Sequence, residues 1–85
     1  MDFKWNHITE EMRKTLDGAP MIGCMVWISC TDEYGNMDVM FARLETDDLG
    51  EFNWCDAFSG NVITSIEDNC VTAWKYVDIP RPYGK

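Results

Sequence analysis

The sequence predicts an α+β fold: a short N-terminal helix packed on a four- to five-stranded antiparallel sheet arranged as a meander. Three observations carry this reading. One apolar stripe with helical spacing occurs, at residues 8, 12 and 16. Short β-rich runs then follow at 10–16-residue spacing, and stretches rich in Gly, Asn and Asp separate them. The 85 residues form one domain, 1–85: helix and entry over 1–20, sheet over 21–77, and a proline-containing tail over 78–85. A hydrophobic fraction of 46% argues for a core and against disorder.

The helix opens at Thr9, whose hydroxyl can cap the first turn. Glu10 and Glu11 suit the positive end of the helix dipole, and Arg13 and Lys14 suit the negative end. Ile8, Met12 and Leu16 make the apolar stripe, Gly18 is expected to end the helix, and Pro20 prevents continuation. Two turns cannot stand alone, so the stripe must dock on something. The first strand is read in "MIGCMVWISC" (21–30), with Ile22, Cys24, Val26 and Ile28 on one face. "TDEYGN" is a turn, with Gly35 and Asn36 able to take positive φ. "MDVMFARLE" (37–45) carries apolar residues on both faces and reads as a central strand. After the turn "TDDLG", residues 51–58 place Phe52, Trp54, Asp56 and Phe58 on one face. "VITSI" (62–66) and "CVTAWKYV" (70–77) complete the set, and prolines in the tail end pairing. The tail motif "DIPRP" with Tyr83 reads as a clamp over the sheet in preference to a polyproline ligand. No internal repeat, linker or low-complexity segment is visible.

Charge is the most informative feature. Residues 32–68 hold ten acids and one base, Arg43, within a chain of net charge −8. Such a field repels nucleic acid and membranes and attracts basic surfaces. In a meander, alternate turns share one end of the sheet, so Glu45, Asp47, Asp48, Glu51, Glu67 and Asp68 are expected to converge there. Asp32, Glu33 and Asp38 belong to the opposite end. Three readings of the convergence stand side by side: a solvated rim, a docking surface for a basic partner with Tyr34 or Trp54 as anchors, and a calcium site. Mimicry of a nucleic-acid backbone is the extreme form of the second. "TDDLGE" lacks the alternating-aspartate loop pattern of calcium sites.

Other chemistries find little support. His7 is the only histidine, and no nucleophile–base set can be read from spacing. Asp56 among aromatics would gain a raised pKa if buried, although a solvent-facing position suits it better. Cys24, Cys30, Cys55 and Cys70 form no CxxC pair and are read as buried, reduced thiols, not as metal ligands. Cys24 and Cys30, on one strand, would be roughly 20 Å apart, too far to bridge. Trp27, Trp54, Trp74 and Tyr76 are read mainly as core, because no Lys or Arg stands beside them to make a nucleic-acid platform. There is no P-loop, no dinucleotide glycine pattern and no apolar run long enough to span a membrane. No signal peptide is visible, which places the chain in the cytoplasm. The expectation is therefore a non-enzyme without cofactor or metal.

At "VTAWKYVDIPRP" the chain resembles a small phage and prophage domain of unknown function that ends in V-T-H-W-x-P-L-P-x-P-P. Thr72, Trp74, Pro80 and Pro82 match, while Ala73 replaces the histidine and the first proline is missing. The family's opening W-x-x-I is similar to Trp5 and Ile8, and its W-rich middle is similar to "GEFNWCDAFSGNVI". Its P-x-D-G step stands here as "DGAP". The resemblance implies a phage accessory protein acting inside a bacterial host cell, where small acidic proteins bind and inhibit host or antiphage-defence proteins. The second reading is a structural or assembly module, a homodimer joined through an edge strand or an exposed aromatic patch.

Overall fold

Thr9 adopts an extended conformation, and its Oγ1 accepts the Met12 N–H at 3.1 Å, which starts helix α1 at Glu10–Thr15. The structure is a computed structural model and describes residues 4–77, so the proline tail and its clamp reading lie outside the described residues. Glu10 and Glu11 occupy the first turn and Arg13 and Lys14 the last, as the dipole favours. The expected stripe docks: Met12 is 2% exposed, and Ile8 and Leu16 pack against the same core. The helix ends earlier than Gly18. Leu16 takes the left-handed conformation at φ 66°, with its N–H bonded to Met12 O at 2.9 Å. Left-handed backbone costs a non-glycine residue about 1–2 kcal/mol. Burial of the Leu16 side chain offsets that strain, so tertiary packing sets the stop.

Six strands follow the chain: β1 (Asn6–His7), β2 (Met25–Thr31), β3 (Met37–Thr46), β4 (Phe52–Asp56), β5 (Val62–Ser65) and β6 (Val71–Tyr76). They form one antiparallel sheet in the order β1-β6-β2-β3-β4-β5. The expected count of four to five is corrected to six, and the simple meander to a meander of β2–β5 with β6 inserted on the far side of β2. β1 escapes sequence reading because it is a two-residue strand defined only by its partner, with Asn6 opposite Trp74 and His7 opposite Ala73. β2 also begins later than Met21. Cys24 N–H bonds to Met21 O at 3.1 Å and Gly23 sits at φ 83°, so a tight turn precedes the strand and leaves Ile22 exposed. Ile22 and Cys24 therefore do not extend the Val26–Ile28 face.

The register shows why the sheet is curled. β5 and β6 run in the same direction, yet only residues 66–70 connect them. Ser65 lies opposite Asn53 and Asn53 opposite Glu45, two residues beyond the Arg43–Met25 pair, whereas Val71 lies opposite Cys30. On a flat sheet these ends would be four strands apart, about 19 Å, and seven residues apart along the strands, about 23 Å, or about 30 Å in all. Six peptide steps reach at most about 21 Å. The sheet must therefore fold its corners together, and the connection crosses its open side. Ile66, on that connection, is buried.

Curling defines two unlike faces. The concave face holds Val26, Ile28, Ala42, Leu44, Trp54, Val71 and Trp74, covered by Met12 of α1 and Ile66 of the crossing segment. The convex face has no described element over it. Among the described residues, no helix is long and apolar enough to cross a membrane.

Met12 is the one fully buried contribution of α1. Met12→Ala is expected to destabilise the domain by about 2–5 kcal/mol in urea unfolding monitored by tryptophan fluorescence. Leu49→Ala, at a residue 84% exposed, is expected to change stability by less than about 0.5 kcal/mol.

Candidate functional site: an acidic end and an open aromatic face

The aspartates answer first to the backbone. In the β2–β3 turn, Asp32 Oδ1 accepts the Tyr34 and Asn36 N–H groups, each at 2.9 Å, and Oδ2 accepts the Asn36 amide at 3.1 Å. The β3–β4 turn repeats this arrangement. Asp47 Oδ1 accepts the Leu49 and Glu51 N–H groups at 2.9 Å, and Oδ2 accepts the Asn53 amide at 3.2 Å. Each turn closes with a glycine at positive φ, Gly35 at 86° and Gly50 at 80°, donating back to the aspartate carbonyl. "TDEYGN" and "TDDLGE" are thus one turn motif used twice, a local repeat visible in the sequence only once the role of each Asp is known. Asp56 builds the β4–β5 turn in the same way, accepting from the Phe58 and Ser59 N–H groups at 2.9 and 2.8 Å. Asp68 accepts from Thr64 Oγ1 at 2.6 Å and from the Cys70 N–H at 3.0 Å.

These donors hold all four carboxyls below the usual carboxylate range. The Asn36 backbone and side chain dominate for Asp32, the Glu51 N–H for Asp47, the Ser59 N–H for Asp56 and the Thr64 hydroxyl for Asp68. A buried Asp56 with a raised pKa is therefore ruled out; its carboxylate is a turn element.

The structure brings part of the expected acidic set together. Ile66 N–H donates to Phe52 O at 3.1 Å, which sets Glu67 beside Glu51 at the end of the sheet that carries Asp47 and Asp48. Convergence survives the altered strand order because it depends only on β3, β4 and β5 being neighbours. The end is not purely acidic, however. Glu51 and Glu67 line a cleft of about 270 Å³ together with Arg13 and Lys14 of α1. Arg13 pairs with Glu10 at 3.0 Å and adds a small downward pull on Asp68. Glu45 sits half-buried near the end of β3, on the convex face. Tyr34 is 82% exposed but lies in the β2–β3 turn, at the other end of the ten-residue β3. Trp54 is fully buried and cannot anchor a partner. The exposed apolar residue in the acidic turn is Leu49, which the reading of the sequence passed over.

A second feature lies on the convex face. Trp27 stands opposite Phe41 in the β2–β3 register, with ring centroids 3.6 Å apart and stacked. Phe58 meets Phe41 edge-on at 5.8 Å. Lys75 stands opposite Trp27 on the other side and lies 5.0 Å over the Trp5 ring. Trp5, Lys75, Trp27, Phe41 and Phe58 thus form one band across the strands, with Arg43 on the same face beside it. This corrects two expectations: Trp27 is not core, and it does have cations near it. The signal lay in strand alternation, since Trp27 falls between Val26 and Ile28, which face the concave core.

Burial pushes the Cys30 thiol up to about 11, with Cys70, Asp38 and Asp68 adding to it, and burial also raises Cys55 and Cys70. These thiols are protonated at neutral pH and make poor nucleophiles. Among the described residues no three His, Cys, Asp or Glu side chains gather as a metal site. Comparison with protein-family models, with curated proteins and with solved structures returned no match to this chain.

The lowered aspartate pKa values have a defined sign. Unfolded carboxyls titrate near about 3.9, so the folded state binds fewer protons, and its added stability is present above that pH and lost as pH falls through the folded values. An Asp32→Asn/Asp47→Asn variant is expected to melt below the wild type at pH 7. The gap should close as pH falls below about 4 and through the lowered folded-state values, measured by circular dichroism melts of both chains across pH.

Proposed function

We propose that this chain is a non-enzymatic binding protein that docks its acidic end on a basic surface of another protein. The observation that carries the reading is the gathering of Asp48, Glu51 and Glu67, all exposed, at one end of the sheet by the β3–β4–β5 pairing. Their side chains take no part in the turn hydrogen bonds that hold Asp47 and Asp68, and their charge is free to face outward. Asp47 and Asp68 remain ionised behind them and add to the field. Leu49, extended from the same turn, takes the anchor role first assigned to Trp54. Arg13 and Lys14 across the cleft narrow the acidic surface to the outer rim.

A non-catalytic role is supported by the chemistry of the remaining groups. Asp32, Asp47, Asp56 and Asp68 are committed to turns, three of the thiols are held protonated, and His7 is an exposed residue of β1. The cellular role we attach to this binding, inhibition of a host or antiphage-defence protein within a bacterial cell, rests on the resemblance of "VTAWKYVDIPRP" to the phage domain. Nucleic-acid mimicry is its extreme form. The second reading, an assembly module, draws on the convex face, where Met25, Val39, Phe58 and Val62 are exposed around the aromatic band.

The test reverses the three free carboxylates. Wild-type chain immobilised in bacterial lysate is expected to retain a basic protein that elutes as salt is raised. The Asp48→Lys/Glu51→Lys/Glu67→Lys variant is expected to lose it, and Leu49→Ala to weaken it at unchanged stability. Equal recovery by wild type and triple variant, with no salt response, rejects acidic docking.

A further inference from the structure

The cleft of about 270 Å³ between α1 and the sheet end has two walls of opposite charge. Arg13 and Lys14 stand on the helix wall, Glu51 and Glu67 on the sheet wall. The walls do not close on each other. Among the described residues the one ion pair is Arg13–Glu10, at 3.0 Å, and the Glu10 side chain is largely exposed. Such a pair is weak, and it occupies only Nη1 of the guanidinium. Arg13 Nε is buried without a hydrogen-bond partner. The Nε–Nη2 edge, a fork of two parallel donors, therefore holds no acceptor among the described residues. Asp68 also feels the Arg13 charge, but its carboxylate is taken by Thr64 and Cys70. The sheet wall is fixed in advance. Glu51 N–H donates to Asp47 Oδ1 at 2.9 Å and Glu67 N–H to Ser65 Oγ at 3.2 Å, which holds both backbones and leaves both carboxylates unengaged. Leu16 and Phe52, half-buried, and Ile66, buried, give the lining its apolar part.

We propose that this cleft binds a free α-amino acid with an apolar side chain, held as its zwitterion. The ligand carboxylate takes the Arg13 edge and the Lys14 ammonium. The ligand ammonium lies between Glu51 and Glu67, and its side chain lies on Leu16, Phe52 and Ile66. Three features select this class together. Opposite charges on facing walls, unpaired across the cleft, suit a guest that carries both signs. A simple anion would be repelled by the carboxylate wall, and a simple cation by the guanidinium. The volume, about 270 Å³, falls just below the roughly 300–1,000 Å³ of drug-sized pockets, so the guest is small. The apolar lining beside the charges suits a hydrocarbon side chain, and the orphaned Nε donor calls for an acceptor. The inference goes beyond acidic docking, which uses the outward rim and shares with it only Glu51 and Glu67.

Titration of the isotope-labelled chain with L-leucine, followed by amide NMR shifts, reads binding residue by residue. Saturable shifts are expected at Leu16, Gly50, Glu51 and Glu67, with a dissociation constant of about 1 mM or lower. Tyr34 and Gly35, in the β2–β3 turn, are expected to stay still. Isopentylamine lacks the carboxylate and isocaproate the ammonium, and each is expected to bind at least about tenfold more weakly than leucine. Lys14→Gln and Glu67→Gln, at exposed positions that the fold tolerates, are each expected to raise the dissociation constant about three- to tenfold. Three results overturn the inference: no saturable shift up to about 20 mM leucine, the amine or the acid binding as well as leucine, or wild-type affinity in both variants. Lys14→Gln also separates this site from acidic docking. It is expected to weaken leucine binding and to leave capture of a basic protein in place, so either reading can fail without the other.

Discussion

The short connection between β5 and β6 is the constraint on which the rest of this fold depends. Five residues must carry the chain from one corner of the sheet to the diagonally opposite corner, and they succeed only because the sheet curls. Curling narrows the concave side until one short helix and the crossing segment can close it. Six helical residues would be a poor cover for a flat six-stranded sheet, but here Met12 and Ile66 reach a compact cluster around Trp54 and Trp74. The same curl leaves the convex side open, which is why a chain of this size carries Trp27, Phe41 and Phe58 on its outer surface.

Hydrogen bonding divides the negative charge into two populations. Asp32, Asp47, Asp56 and Asp68 each accept two or more donors and hold the turns. They are negative because an ionised acceptor is the stronger one. Asp48, Glu51 and Glu67 have no such duty and are available to a partner. Counting charge along the chain cannot separate the populations, since both consist of acids in turns. The distinction matters for any mutational test: reversing a turn aspartate would damage the hairpin, and the loss of a partner would then say nothing about recognition.

Acidic docking is an electrostatic preference, long in range and sensitive to salt, with Leu49 as a small apolar anchor. The aromatic band on the convex face, with Lys75 and Arg43 beside it, is a separate surface from the acidic end.

Much of the fold was legible in the sequence because it depends on neighbours along the chain. The Thr9 cap, the Ile8–Met12–Leu16 stripe, the alternation of β3 and the turns at Asp32 and Asp47 are all local. The convergence of Glu51 with Glu67 was legible too, since it needs only consecutive hairpins. Tertiary structure decided the rest. Alternation assigns Trp27 and Val26 to opposite faces, but it does not say which face the helix covers, so Trp27 was mistaken for core and Trp54 for an anchor. Nothing local places β6 between β1 and β2, makes Leu16 the helix stop, or sets Arg13 and Lys14 across from Glu51 and Glu67. The curl itself follows from the β5–β6 crossing, a property of chain length against sheet width that no window of residues contains, and the Leu16 stop follows from packing of its side chain on the core.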